Sequence, residues 1–246
     1  MNLVIDIGNS LSKLALFKGN ELVEFSSTEN LDVAFLQNFV GKKQGIKSVV
    51  LSSVTHHSPK INEFLKKQFY FIELNATTKL PIKNCYKTPE TLGKDRLAAV
   101  VGANHLFPNA NVLAIDAGTC IKYDFVNDKN EYIGGGISPG IDMRFKALNT
   151  FTDKLPLLSF QSFEKLIGEN TNESILSGVL NGVVSEVKGI ISEYEKISTN
   201  LKIILTGGYS GFFEKQLKNT IFADPFLVLK GLNVILNFNA EKSQKK

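Results

Sequence analysis

Apolar and polar positions along the chain fall into blocks that predict alternating strands and helices. Leu3-Val4-Ile5 and Leu14-Ala15-Leu16-Phe17 are apolar runs broken by Gly8-Asn9-Ser10, the pattern of a β-hairpin. Residues 31–40 then show helical spacing, residues 46–54 read as a buried strand ending in two serines, residues 59–68 as a short helix and residues 70–74 as a strand. An irregular segment passes through Pro81 and Cys85. It leads to Leu97-Ala-Ala-Val-Val-Gly-Ala103, whose small residues predict a closely packed helix. Residues 172–195 form one long predicted helix with Ile175, Leu176, Val179, Leu180, Val183, Val184, Val187, Ile190, Ile191 and Tyr194 on a broad apolar face. Residues 201–208 predict a buried strand that ends in Thr206-Gly207-Gly208. This order is α/β.

The first hairpin pattern returns in residues 111–126, NVLAIDAGTCIKYDFV. Aligning Asp6 with Asp116 places Gly8 on Gly118 and superposes the flanking apolar runs. Two copies about 110 residues apart imply two similar lobes, here residues 1–112 and 113–240, with a cleft whose two turns face one ligand; residues 241–246 are expected to be a disordered tail. That is a two-lobed phosphotransferase pattern.

Composition narrows the class without changing it. At 246 residues, 43% hydrophobic and 21% charged, the chain can bury a full core. No stretch approaches twenty consecutive apolar residues, and the N-terminus enters a strand containing Asp6, so neither a membrane span nor a secretory signal is expected and the protein is placed in the cytoplasm. The net charge of +4 is mild, with no basic stripe interleaved with aromatics to bind nucleic acid. Cys85 and Cys120 have no metal-ligand spacing and read as free thiols; His56 and His57 read as a surface turn.

The candidate chemistry lies at the turns. A glycine between two strands lets backbone N–H groups face an anion. Asp6 at the end of the first strand can hold a phosphate-bound metal directly or through water, with Asn9, Ser10 and Ser12 as neutral donors; a plain turn accounts for the same residues. Asp95-Arg96 stand at the head of a helix. They read either as an N-capping carboxylate with a solvated neighbour, or as a general base beside a guanidinium clamp for a substrate carboxylate. Gly134-Gly-Gly-Ile-Ser-Pro-Gly140 reads as a glycine-rich loop entering a helix, serving a bend or a close ligand approach. Gly178 and Gly182 admit a second helix closely, in the core or across a subunit interface. Thr206-Gly207-Gly208 reads as a strand end that accommodates a base or ribose, or as an ordinary turn.

Taken in order and spacing, Asp6-Ile-Gly-Asn-Ser10, Gly93-Lys-Asp-Arg96, Asp116-Ala-Gly-Thr119, Gly135-Gly-Ile-Ser-Pro-Gly140 and Thr206-Gly-Gly208 resemble type III pantothenate kinases over nearly the whole chain. The hairpin signatures are shared with actin, the heat-shock chaperone ATPases and sugar kinases; the segment from Tyr86 to Arg96 and the glycine-rich stretch point to this branch. The resemblance implies a duplicated ribonuclease-H-like fold of the actin-like ATPase type, a homodimer, formed here through the 172–195 helix, and ATP-dependent phosphorylation of pantothenate to 4'-phosphopantothenate, the first step towards coenzyme A. It implies ATP contacts at Asp6, Ile7, Gly8, Asn9, Ser10, Leu11, Ser12, Lys13 and Thr119, while Thr206, Gly207 and Gly208 are expected to complete the nucleotide site. Asp95 matches the proton acceptor; Tyr86, Gly93, Lys94, Arg96 and Thr152 match positions around the substrate. Asp116 matches the ligand of a monovalent cation, potassium or ammonium, and Asp6 is expected to meet Mg2+ with the nucleotide. Cys120 and Lys122 depart from the small or hydroxyl residues more usual there, and strand alternation does not settle where Lys122 points. An actin-like or chaperone-like ATPase and a non-enzymatic regulator on the same fold are the other readings, set against the short chain and the intact Asp6, Asp95, Arg96 and Asp116.

Overall fold

In the computed structural model, which describes residues 1–41, 43–217 and 221–244, the elements follow the predicted α/β order. They are β1 (Asn2–Ile7), β2 (Ser12–Lys18), β3 (Glu21–Thr28), α1 (Val33–Gly41), β4 (Ser48–Ser53), α2 (Pro59–Gln68), β5 (Tyr70–Glu73), β6 (Lys83–Asn84) and α3 (Lys94–Leu106). There follow β7 (Val112–Ala117), β8 (Cys120–Val126), β9 (Glu131–Pro139), α4 (Ile141–Thr150), α5 (Thr171–Ile197), β10 (Lys202–Thr206), α6 (Ser210–Gln216), β11 (Ile221–Ala223) and α7 (Leu227–Gln244). Local chemistry explains several boundaries. α2 starts with proline at its first turn, where the missing N–H costs nothing, and ends in two lysines that complement the carbonyl end.

Contacts divide the chain into two units that are not contiguous in sequence: residues 1–109, 126–134 and 226–246, and residues 110–125 and 135–225. The first unit holds a sheet of order β3-β2-β1-β4-β5, with β1 antiparallel to β2 and parallel to β4. The second holds the order β9-β8-β7-β10-β11, strand for strand the same arrangement, with β7 parallel to β10. β6 pairs with Glu131 and Tyr132, the part of β9 that belongs to the first unit. The duplication read from two Asp-x-Gly hairpins is therefore a duplication of the whole sheet.

In the first unit one face of the sheet buries Leu3, Ile5, Leu14, Leu16, Val49 and Leu51 against α1 and α2. The other face buries Val4, Ala15, Phe17 and Val50 with α3 and α7. β1 and β4 are covered on both sides, which is why they read as unbroken apolar runs. α3 crosses α7 at backbone contact: a Cβ built on Gly231 lies 1.9 Å from the Ala98 carbonyl oxygen, and one on Gly102 lies 2.6 Å from that of Leu227. The small residues of α3 are thus required by its neighbour. Glu241–Gln244, expected as tail, continue α7; Lys245 and Lys246 lie outside the described residues.

In the second unit the core joins Leu113, Ile115, Ile121, Tyr123, Ile203 and Leu205 to the apolar face of α5 from Ile175 to Ile191. α5 is long and apolar enough by composition to cross a membrane, and it spends that face in this core. Gly134–Gly136, expected in a loop, lie within β9. The reason is close strand packing, since a Cβ on Gly135 would fall 1.6 Å from the Tyr123 carbonyl oxygen.

Candidate active site

The first turn is built where β1 and β2 end. Asp6, 9% exposed, has Lys13 as its register partner on β2 and Ser52 on β4. The four-residue turn closes with the Gly8 N–H donating to the Leu11 carbonyl at 3.1 Å, leaving Asn9, Ser10 and Leu11 at the surface and Ser12 buried. Ser52 beside Asp6 is fully buried, and its hydroxyl has no hydrogen-bond partner among the described residues. Among the described residues there is no group of three His, Cys, Asp or Glu side chains fit to hold a metal ion. One buried carboxylate with a neighbouring hydroxyl suits Mg2+ that arrives on a nucleotide, keeps most of its waters and needs one or two protein oxygens.

The second turn differs in length. β7 and β8 are joined by Gly118 and Thr119 alone, with the Gly118 N–H donating to Cys120 at 3.1 Å. The incoming strands of the two hairpins correspond, but the outgoing strands start two residues apart relative to the aspartate. The register puts Asp116 beside Thr206 at the ends of β7 and β10. Gly207 follows at φ 91°, and a Cβ there would sit 2.5 Å from Asp116 Oδ1, so only glycine fits. The Gly140 N–H, at the head of α4, donates to the Thr119 carbonyl at 3.1 Å, and a Cβ on Gly140 would meet that oxygen at 2.3 Å. Asp116, Thr119, Thr206 and Gly207 are thereby brought together. Lys122 joins them: its Nζ donates to Asp116 Oδ2 at 2.7 Å, with the two side chains 16% and 13% exposed. The monovalent cation implied for Asp116 thus meets a carboxylate oxygen already bonded to the chain's own ammonium group.

α3 presents the third cluster. Its N-cap is Gly93, and Asp95 lies one residue inside the helix, so Asp95 is not the capping residue that the sequence allowed. Its Oδ1 accepts the Arg96 N–H at 2.9 Å, and the carboxylate complements the positive end of the helix. Arg96 is 5% exposed, which removes the reading of a solvated neighbour. Its guanidinium carbon lies 5.5 Å from the Tyr86 ring centroid, and Tyr86 stacks on Tyr132 at 6.0 Å with the planes 6° apart. Gly134, at φ 136°, runs alongside Tyr86. Tyr86, Gly93, Lys94, Asp95 and Arg96 therefore form one constellation in the first unit. Tyr132, which the sequence reading missed, is part of it; its cue is position, two residues before Gly134.

Thr152 stands apart from the Asp116 cluster. It follows α4, a helix of ten residues and so about 15 Å long, whose other end carries Gly140, and its hydroxyl donates to the Leu148 carbonyl at 2.6 Å. Beside it a cavity of about 620 Å³ is lined by Arg144, Leu148, Leu155, Ile175 and Gly178 among others. A further network fastens β9 and α4 to α5. Glu186 accepts hydrogen bonds from Tyr123 (2.9 Å) and Arg144, while Arg144 also holds Ser138 (2.9 Å) and the Pro139 carbonyl (2.9 Å). Burial pushes Glu186 up, but its bonds to Ser138, Arg144 and Tyr123 together hold it below the usual carboxylate range. Burial and the bond to Glu186 raise Tyr123. Burial also raises Tyr209, whose hydroxyl donates to Asp142 at 2.6 Å.

Two sheets of matching strand order, each opening on an Asp-x-Gly hairpin, define the actin-like ATPase and sugar-kinase fold. Solved structures of that shape agree. The ADPNP-bound activator of 2-hydroxyisocaproyl-CoA dehydratase from Clostridium difficile aligns with a TM-score of 0.56 at 16% identity, covering 99% of this chain and 97% of that one. The inorganic polyphosphate/ATP-glucomannokinase from Arthrobacter aligns at 0.52 and 13%, covering 98% of each. A family model described as type III pantothenate kinase matches residues 2–193. Type III pantothenate kinases of Phocaeicola vulgatus and Christiangramia forsetii are 46% and 47% identical over 239 and 242 residues, each covering 97% of this chain and 99% of the relative. The chain belongs to the type III pantothenate kinase family, ATP-using enzymes of coenzyme A biosynthesis.

Proposed function

We propose that this chain transfers the γ-phosphoryl group of MgATP to the hydroxyl of pantothenate, giving 4'-phosphopantothenate and ADP. The observation that carries the assignment of roles is the pairing at the head of α3 of a helix-positioned carboxylate, Asp95, with a buried guanidinium, Arg96, stacked on Tyr86. Asp95 accepts the proton of the attacking hydroxyl, whose oxygen bonds to the γ-phosphorus as the bond to the ADP oxygen breaks. Arg96 meets the pantothenate carboxylate as a fork, and Tyr86, Gly93 and Lys94 shape the space around it. Asn9, Ser10, Ser12 and Lys13, with the backbone of Ile7, Gly8 and Leu11, contact the nucleotide phosphates, and Asp6 meets the Mg2+ they carry. Thr119 adds a phosphate contact; Thr206, Gly207 and Gly208 receive the nucleoside. Catalysis on this reading comes from positioning and neutralised charge.

The family resemblance adds a monovalent cation on Asp116, potassium or ammonium, and here that carboxylate holds Lys122. It also adds a homodimer through the 172–195 helix, with Thr152 near the substrate. Supporting the dimer, α5 exposes Ser174, Gly178 and Gly182 in a row, and Phe151 at the end of α4 and Leu166 and Ile167 ahead of α5 are 84%, 77% and 76% exposed. The cytoplasm, where ATP and free thiols such as Cys85 and Cys120 coexist, is the compartment this reading requires. ADP release measured with MgATP, with and without pantothenate, tests the proposal. Release that requires pantothenate and is lost in Asp95→Asn supports it; release indifferent to pantothenate overturns it.

A further inference from the structure

The cation position at Asp116 is where this chain's own residues disagree with the resemblance. Oδ2 of the carboxylate receives Lys122 Nζ at 2.7 Å, while Oδ1 faces the backbone at Gly207 so closely that a Cβ there would lie 2.5 Å away. Both side chains are largely shielded, at 16% and 13% exposure, so the pair is weakly screened by salt. A free cation on Oδ2 would displace the ammonium or lie against it as a like charge, and Oδ1 has backbone packed over it. The carboxylate does not fit an additional monovalent ion.

An alkylammonium group carries the charge of an ammonium ion and offers three N–H donors, of which the bond to Oδ2 uses one. Lys122 lies on β8, whose hairpin with β7 carries Asp116 and Thr119. We propose that Lys122 is a tethered substitute for the free potassium or ammonium ion, fixing one positive charge on Asp116 beside Thr119, so that this kinase turns over without a monovalent cation. The inference rests on the kinase reading above and on the phosphates being bound near Thr119. The sequence flagged Lys122 as a departure; the ion pair gives the departure a chemical meaning. It substitutes one cation for another at constant charge and leaves the developing charge of phosphoryl transfer neutralised by a group that cannot dissociate.

The test is the initial rate of pantothenate-dependent ADP release by the wild-type protein with MgATP in potassium, ammonium, sodium and tetramethylammonium chloride, at matched ionic strength. The expected wild-type rates agree within about twofold across the four salts, because only screening is then shared among them. Lys122→Thr, which restores a hydroxyl residue of the usual kind, is expected to lose about 100-fold in tetramethylammonium and to recover in potassium or ammonium. Thermal unfolding supplies a readout independent of turnover: potassium raises the melting temperature of Lys122→Thr through binding and leaves that of the wild type unchanged. A wild-type enzyme that loses most of its rate without potassium or ammonium overturns the inference and leaves the kinase reading standing. That comparison needs no variant, so it decides even if Lys122→Thr does not fold. Wild-type ADP release that is absent or indifferent to pantothenate in all four salts overturns the kinase reading instead.

Discussion

Gly93→Ala separates the position of Asp95 from the stability of the helix that carries it. The N-cap glycine has φ −56°, a conformation alanine adopts without strain, and the cost to α3 is about 0.5–1 kcal/mol, a drop in Tm of roughly 2–4 °C at most. The new methyl carbon would lie 2.7 Å from Asp95 Oδ1 and 3.5 Å from the Arg96 side chain. Restoring ordinary contact moves the carboxylate by about 0.7 Å, and Oδ1 is tied to the Arg96 N–H at 2.9 Å, so the shift strains that bond as well. Misplacing a reacting group by about 1 Å costs on the order of 100-fold in rate, so kcat is expected to fall by about 10- to 100-fold. Initial rates with pantothenate and ATP varied in turn, alongside a melting curve, give the answer. The expected result is a reduced kcat with the KM for ATP and the fold retained. A variant with wild-type kcat would refute the claim that this carboxylate must sit where the hydroxyl proton leaves.

Gly231→Ala drives a methyl group to 1.9 Å from the Ala98 carbonyl where α7 crosses α3. Urea unfolding is expected to show a loss of about 2–3 kcal/mol, and a loss below roughly 0.5 kcal/mol would mean the two helices are not in backbone contact. Glu186→Gln removes the charge that Arg144 and Tyr123 serve, at a cost of about 1–2 kcal/mol near pH 7 for a partly exposed group. Because the folded-state pKa of Glu186 is depressed, its contribution is present above its ordinary value of 4.5 and lost as the pH falls through the folded value. Melting temperatures of wild type and variant should therefore differ at pH 7 and converge in acid; a gap that widens in acid would contradict the network.

Much of the fold was legible because local rules and tertiary packing agree. β1 and β4 read as apolar runs since both their faces are covered, and α2 was read to the residue since proline opens it and polar lysines close it. Glycine misled where it answers a neighbour instead of a bend: Gly135 lies in a strand because the Tyr123 backbone leaves no room for a side chain. The return of α7 to the first unit is set by its fit against α3, a pairing of residues more than a hundred positions apart that no local pattern records. At the candidate site, Asp6, Asp95, Arg96 and Asp116 stood out by residue type and spacing. The stacking of Tyr132 on Tyr86 and the bond from Lys122 to Asp116 depend on which strand faces meet, and one-dimensional alternation left the direction of Lys122 open.

The most direct test of the central claim is the phosphorylated product itself. Purified protein, MgATP and pantothenate are incubated, and 4'-phosphopantothenate and ADP are quantified by mass spectrometry for the wild type and for Asp95→Asn. The account predicts equimolar product and ADP from the wild type and a loss of about 100-fold or more in the variant, which still binds ATP. ADP formed without phosphopantothenate, or a variant as active as the wild type, would contradict it.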